Sequence, residues 1–114
     1  MYTFDSRVRY SEVGEDARIT VNAIIDYMQD CTNFQSEDLG VGLEYHKKKQ
    51  LMWVLNSWQI VIEKYPAMGE EITVGTQAYG FEKMFGYRNF LITDSSGECV
   101  AKANSIWVLM DLKK

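Results

Sequence analysis

From residue 3 to residue 10 apolar and polar positions alternate, with Phe4, Val8 and Tyr10 on one parity, which predicts a first strand with one face inward. Residues 11–18 are polar around Gly14, and the period then changes. Val21, Ile24, Ile25, Met28 and Cys31 recur at helical spacing behind Thr20, the expected N-cap. The pattern persists to about Leu39, and Gly40-Val41-Gly42 supplies the stop, giving a helix of roughly five turns. Residues 43–49 suit a short helical turn. Residues 51–65, rich in Trp, Val and Ile, predict a long strand, and 66–69 carry turn chemistry. Residues 71–79 alternate again; 80–85 read as a connection, 86–93 as a strand, 94–97 as a hairpin turn and 98–111 as the last strand.

The order is strand, long helix, then four consecutive antiparallel strands, an α+β arrangement in a single domain over residues 1–114. A curved sheet wrapped around the helix buries both apolar faces. A helix of about 20 residues spans about 30 Å, comparable with the strands, so the helix is expected to be covered along its length.

Composition narrows the function classes. The chain has 114 residues, of which 46% are apolar, enough for one core without disulfides or a structural metal. Its balance of 12 basic and 16 acidic residues gives −4, which opposes a nucleic-acid partner held by phosphate neutralisation. No run approaches the roughly 18 apolar residues of a membrane span, and the first residues are not those of a secretory signal, so the expected compartment is the cytoplasm, with no membrane partner. Cys31 and Cys99 form no CxxC pair and are expected to be buried thiols. His46 is the single histidine, so a Ser-His-Asp triad or a dehydratase site would have to use it. There is no glycine-rich phosphate loop and no cluster with metal-ligand spacing, so neither a cofactor nor a metal is expected.

Six segments carry a resemblance. Residues 8–14 (VRYSEVG), 29–31 (QDC) with 35–40 (QSEDLG), 53–60 (WVLNSWQI), the pair Tyr65-Pro66, 86–90 (GYRNF) and 101–107 (AKANSIW) resemble, in order and spacing, bacterial acyl-acyl-carrier-protein thioesterases. The resemblance covers essentially the whole chain. It implies the hot-dog fold, one long central helix wrapped by a curved antiparallel sheet of about five strands. It also implies fatty acyl thioesters of acyl-carrier protein or coenzyme A as substrates. Members of that family carry two hot-dog domains in tandem, with an Asp, Asn and His cluster and a further carboxylate in the second, whereas the first mainly shapes the acyl pocket; this sequence matches the first. Single-domain hot-dog thioesterases often place an Asp and then Gly-His-Val-Asn before the helix, and residues 12–19 here read EVGEDARI instead.

Thioester hydrolysis needs a carboxylate to attack or to activate water, and donors aimed at the developing oxyanion, for which a helix N-terminus serves. Glu12, Asp26 and Asp30 are the candidate catalytic carboxylates. Asp26 and Asp30 lie four apart on one side of the helix, with Gln29 and Asn33 four apart on an adjacent strip. The bland alternative is a solvated helix face. Asn56 and Ser57 interrupt an apolar strand, marking either a pocket or a backbone-bonded sheet residue. Trp53, Trp58 and Trp107 suit an acyl tunnel, a core or an interface equally. Arg88 is a candidate for a pantetheine phosphate or for an edge-strand salt bridge, and Lys47-Lys48-Lys49 with Lys83 is either a docking patch for an acidic carrier or a solvated loop.

Two functional readings follow. One is a thioesterase acting as a homodimer or higher oligomer joined through sheet edges; the other is a non-catalytic, pocket-forming half whose catalytic domain lies elsewhere.

Overall fold

The computed structural model describes residues 1–40, 42–82 and 84–111, with side chains except those of Leu43, His46, Leu51, Phe81 and Asp111. Lys83 and the His46 side chain, both singled out above, lie outside the described residues. Strand β1 (Tyr2–Arg7) leads through a 3₁₀ turn (Tyr10–Glu12) to helix α1 (Val21–Asp38). A short helix α2 (Leu43–Lys49) follows, then β2 (Leu51–Ile62), β3 (Glu71–Glu82), β4 (Phe85–Asp94) and β5 (Cys99–Asp111). The five strands form one antiparallel sheet in the order β1-β3-β4-β5-β2, curved around α1 in the hot-dog arrangement. Although β2 and β3 are consecutive in the chain, they do not pair: β2 lies at the far edge against β5. The connection between them is fastened to the loop before α1, where Ile19 donates to the Pro66 carbonyl and Met68 to the Ala17 carbonyl.

Helix α1 begins as its sequence dictates. The Thr20 hydroxyl accepts from the Ala23 amide at 3.2 Å, satisfying one of the first-turn donors. Its buried stripe is Ala23, Ile24, Tyr27, Met28 and Cys31, while Val21 at the entrance is exposed. The stripe packs on Ile72 and Val74 of β3, Phe90 and Ile92 of β4, and Val100, Ala101 and Ala103 of β5, with Val8 and Ile19 closing one end. Tyr10, expected on the inward face of β1, sits instead in the 3₁₀ turn and is 83% exposed, because β1 ends at Arg7. Cys99 is half-buried rather than buried; Cys31 is fully buried.

Besides β1, other strands depart in length from the pattern. β2 ends at Ile62 rather than at 65, while β3 and β4 run on through residues 80–82 and 85 and absorb most of the expected connection. The sheet therefore outruns the helix. The 18 residues of α1 span about 27 Å, whereas the 13 residues of β5 span about 43 Å. The buried stripe of α1 ends at Cys31, and the far part of the inner sheet face, at Trp53, Leu55, Trp107 and Leu109, overhangs the core that packs on the helix.

In β2 the register shifts between Leu55 and Ser57, leaving Asn56 as a bulge. Before it, Trp53 and Leu55 pair with Leu109 and Trp107; after it, Trp58, Ile60 and Ile62 pair with Ser105, Ala103 and Ala101. Inward positions are thus odd on one side of the bulge and even on the other. Asn56 itself is exposed, so it is not a buried amide needing partners.

Candidate functional site

The inner face of the overhang is apolar. Trp53, Leu55, Trp107 and Leu109 are neighbours across β2 and β5, and Leu55 is 39% exposed although it faces inward. Helix α1 approaches β3 and β1 most closely and α2 lies against β2, while Trp53, Leu55, Trp107 and Leu109 stand outside the core packed on α1, a shallow apolar trough along β2 and β5. Gly86, opposite Trp107 on β4, adds no side chain to that floor.

Beneath Gln35, in the last turns of α1, a row with polar members crosses the sheet. Ala78, Arg88, Ser105 and Trp58 are in register on β3, β4, β5 and β2. Gln35 continues the sheet-facing stripe of α1 one turn past Cys31 and accepts a hydrogen bond from Arg88 Nη1 at 2.6 Å; the same nitrogen donates to Thr76 Oγ1 at 3.1 Å. Ser105 Oγ donates to the Arg88 carbonyl at 3.0 Å and accepts from Trp107 Nε1 at 2.8 Å. The Trp58 indole N–H is buried and has no acceptor among the described residues. No carboxylate pairs with Arg88 among the described residues; desolvation lowers its pKa, yet a guanidinium keeps its charge in any ordinary protein site. An edge-strand salt bridge is thereby excluded for Arg88, since β4 is a central strand and its partners are neutral.

The candidate carboxylates lie apart from this row. Glu12 Oε1 accepts from the Tyr27 hydroxyl at 2.5 Å and from the Arg9 amide at 2.8 Å, and its other oxygen is 3.3 Å from Arg9 Nη1. Buried beneath it, the Tyr27 hydroxyl is pushed up to about 12, first by desolvation and then by its bond to Glu12. Asp26 and Asp30 are exposed on α1, and the pKa of Asp30 is raised, chiefly by partial desolvation and secondarily by the Asp26 charge. Gln29 is half-buried and its carbonyl accepts from the exposed Asn33 side chain at 3.0 Å, a bond within the helix. Glu12, Asp26 and Asp30 thus belong to the α1 entrance and flank, while Trp53, Trp58 and Arg88 belong to the trough; Asn56 belongs to neither. Among the described residues no group of three His, Cys, Asp or Glu side chains is arranged to hold a metal. Lys47, Lys48 and Lys49 are exposed on α2.

Gln35, Thr76 and Ser105 were missed as site residues. The signal was parity: Arg88 shares its face of β4 with Phe90 and Ile92, and a charge at an inward position requires polar neighbours.

Comparison with known proteins agrees with this architecture. The chain matches the acyl-ACP thioesterase N-terminal domain over residues 1–114. It is 29% identical over 111 residues to oleoyl-acyl carrier protein thioesterase 1, chloroplastic, of Arabidopsis thaliana, covering 91% of this chain and 31% of that protein. Among solved structures, an oleoyl thioesterase described from Lactobacillus plantarum superposes with a TM-score of 0.94 at 30% identity, over 97% of this chain and 43% of the other. The 12:0-ACP thioesterase from Umbellularia californica gives 0.84 at 27%, over 98% and 46%. The chain therefore spans less than a third of the plant relative and less than half of either structure. With the family's N-terminal domain matched from end to end, the chain belongs to the acyl-ACP thioesterase family.

Proposed function

We propose that this protein serves the hydrolysis of fatty acyl thioesters carried by acyl-carrier protein or coenzyme A, with the acyl chain lying in the trough beyond α1. The observation that carries the reading is the overhang itself: an apolar floor of Trp53, Leu55, Trp107 and Leu109 that the chain's own long helix does not cover. Family membership supplies the reaction class. Asp30 is the carboxylate we assign first to water activation; it stands on the exposed flank of α1 one turn from Asp26, where desolvation and then the Asp26 charge raise its pKa. Glu12 holds the α1 entrance through Tyr27 and Arg9, a positioning role.

The site is completed by a second hot-dog unit. β2 is a 12-residue edge strand hydrogen-bonded to β5 on one side, and the groups on its other side invite pairing with a second copy. The exposed Lys47–Lys49 run on the neighbouring α2 suits an acidic carrier approaching that end. In the second reading, the chain is the pocket-forming half alone; it is favoured by the exposure of Asp26 and Asp30 and the commitment of Glu12 to structural bonds.

Thiol release from a panel of acyl-CoA and acyl-carrier-protein thioesters, measured beside Glu12→Gln, Asp26→Asn and Asp30→Asn singly and combined, tests the reading. Turnover that falls at least 100-fold in Asp30→Asn is the expected result. Turnover unchanged in all the variants would reject the carboxylate assignment, and a folded wild type without turnover would favour the pocket-forming half.

A further inference from the structure

The sheet has a second face, turned away from α1, and its side chains are not those of a surface left to water. Four amides stand in register across it: Gln77 on β3, Asn89 on β4, Asn104 on β5 and Gln59 on β2. From this row toward Met52 the outward positions are mostly apolar. Tyr87 pairs with Ile106 in the next row, Val54 and Phe85 flank Val108 in the one after, and Met52 pairs with Met110 in the last. Tyr79, the bulge residue of β3, brings its ring to 5.8 Å from that of Tyr87. Met52, Val54, Tyr79 and Met110 are exposed. An antiparallel sheet with a helix on one side ordinarily turns polar residues to the other, so an apolar stretch of this extent marks a contact surface. The opposite end of the same face is a polar hollow lined by Asp5, Arg7, Glu71 and Thr73, with charges of both signs.

Three features point to what covers the apolar end. Between Val61 and Met52 the described outward positions of β2, β3, β4 and β5 include two charges, Lys102 and Glu82, and neither lies in the amide row. A chain of net charge −4 repels its own copies, and charge-poor surface is where they can meet. A twofold contact also sets a patch against itself. Each amide carries donors and an acceptor, so the row can pair with its own copy, as a row of one charge could not. The third feature is area. Ten residues of β2 at about 3.3 Å and four strands at about 4.8 Å make a face of about 600 Å² in projection, close to the roughly 800 Å² of accessible surface that each partner gives to a stable interface.

We infer that this outer face binds the same face of a second copy, amide row against amide row, about a twofold axis that runs along the strands between β4 and β5. Apolar end then meets apolar end, and Asn104 of each copy flanks the axis. The contact is independent of the acyl reading and of pairing at the β2 edge: with edge pairing it makes a four-chain assembly, without it a two-chain one.

Sedimentation velocity and light scattering on the purified protein at low salt test it. Asn104→Lys and Asn104→Asp should each weaken the face contact about 10- to 100-fold by setting like charges together, and so halve the mass at a concentration where the wild type is fully associated. An equimolar mixture of the two variants should regain the wild-type mass. Val54→Lys, two rows away, should halve it as well. Both side chains are exposed, so each variant should keep the wild-type far-UV circular dichroism and urea midpoint. A wild type that stays monomeric, variants that keep the wild-type mass, or a mixture that stays at half mass overturns the inference. A two-chain wild type indifferent to all the substitutions does so too, and leaves edge pairing in place.

Discussion

The indole of Trp58 lies flat on the ring of Phe90, with centroids 5.1 Å apart and planes within 9°. The two residues sit on β2 and β4 with Ala103 and Ser105 of β5 between them, so small side chains on the middle strand let two aromatic rings meet over it. The contact ties the edge strand to the sheet centre. Trp58→Ala should lower unfolding stability by about 3 kcal/mol, and Trp58→Phe by about 1 kcal/mol, read as urea midpoints at unchanged slope. A Trp58→Ala loss below about 0.5 kcal/mol would mean the stack carries no load.

The Tyr27 hydroxyl is shared between Glu12, the Arg7 carbonyl at 3.0 Å and Ser6 at 3.2 Å. Tyr27→Phe keeps the ring but takes one donor from the Glu12 carboxylate and one from the Arg7 carbonyl, and should cost about 1–3 kcal/mol. Because the folded state holds this phenol proton up to about 12 against an ordinary 10, its contribution is complete below pH 10 and is lost as pH rises toward 12. Stability of wild type and Tyr27→Phe should therefore converge in that alkaline window, and curves that stay parallel would contradict it.

The hairpin between β4 and β5 is built on Asp94, whose Oδ1 accepts from the Ser96 amide, the Glu98 amide and the Ser96 hydroxyl, while Lys64 pairs with Asp94 and with Glu98. Gly97 takes the φ of +83° that closes the turn. The Lys64 bond, then Ser96, hold the Asp94 carboxyl well below the usual carboxylate range. With a depressed folded pKa, the stabilisation is present above the ordinary carboxyl pKa of 3.8 and disappears as pH falls through the folded value. The Ser96 and Glu98 amide resonances should hold their positions to well below pH 3.8; a transition at the ordinary value would refute the arrangement. Lys64→Met should move that transition upward, and salt should weaken the effect at this exposed site.

Cys31 and Cys99 should differ sharply as thiols. Burial pushes Cys31 up to about 11, and its Sγ donates toward the Tyr2 and Val74 carbonyls. Alkylation by iodoacetamide at pH 8 should label Cys99 first and reach Cys31 only on unfolding; equal native rates would place Cys31 at the surface.

The elements were legible wherever one physical rule governed a stretch. Thr20 and the 3.6-residue spacing fixed α1 to within a residue at each end, and the turn at 94–97 announced itself by its Asp and Gly. Two features were not local and so were not legible. β2 takes the far edge beside β5, a choice made by the crossover over residues 63–70 rather than by any residue within β2. The lengths of β3 and β4 depend on pairing across Gly80 and Gly86, whose small size reads as loop in isolation. For the site, Arg88, Trp53 and Trp58 were identifiable as candidates, but that all three share the inner face of the sheet was not, because it depends on the strand order and on the bulge in β2. Asn56 looked like a buried polar residue because an apolar run surrounds it; its bulge instead lifts it into solvent.

That bulge gives β2 a phase change. Every residue from Met52 to Leu55 obeys one parity rule and every residue from Ser57 to Ile62 the opposite one, so the strand reads like two half-sentences spliced at a single letter. Among diverging relatives, a gap drawn anywhere else in this strand would exchange wall residues for water-facing ones over the whole interval between the gap and Asn56. The inner-face identities of Trp53 and Leu55 are thus encoded jointly with a solvent-facing residue, and a comparison across this family must align the bulge before it aligns the inner face.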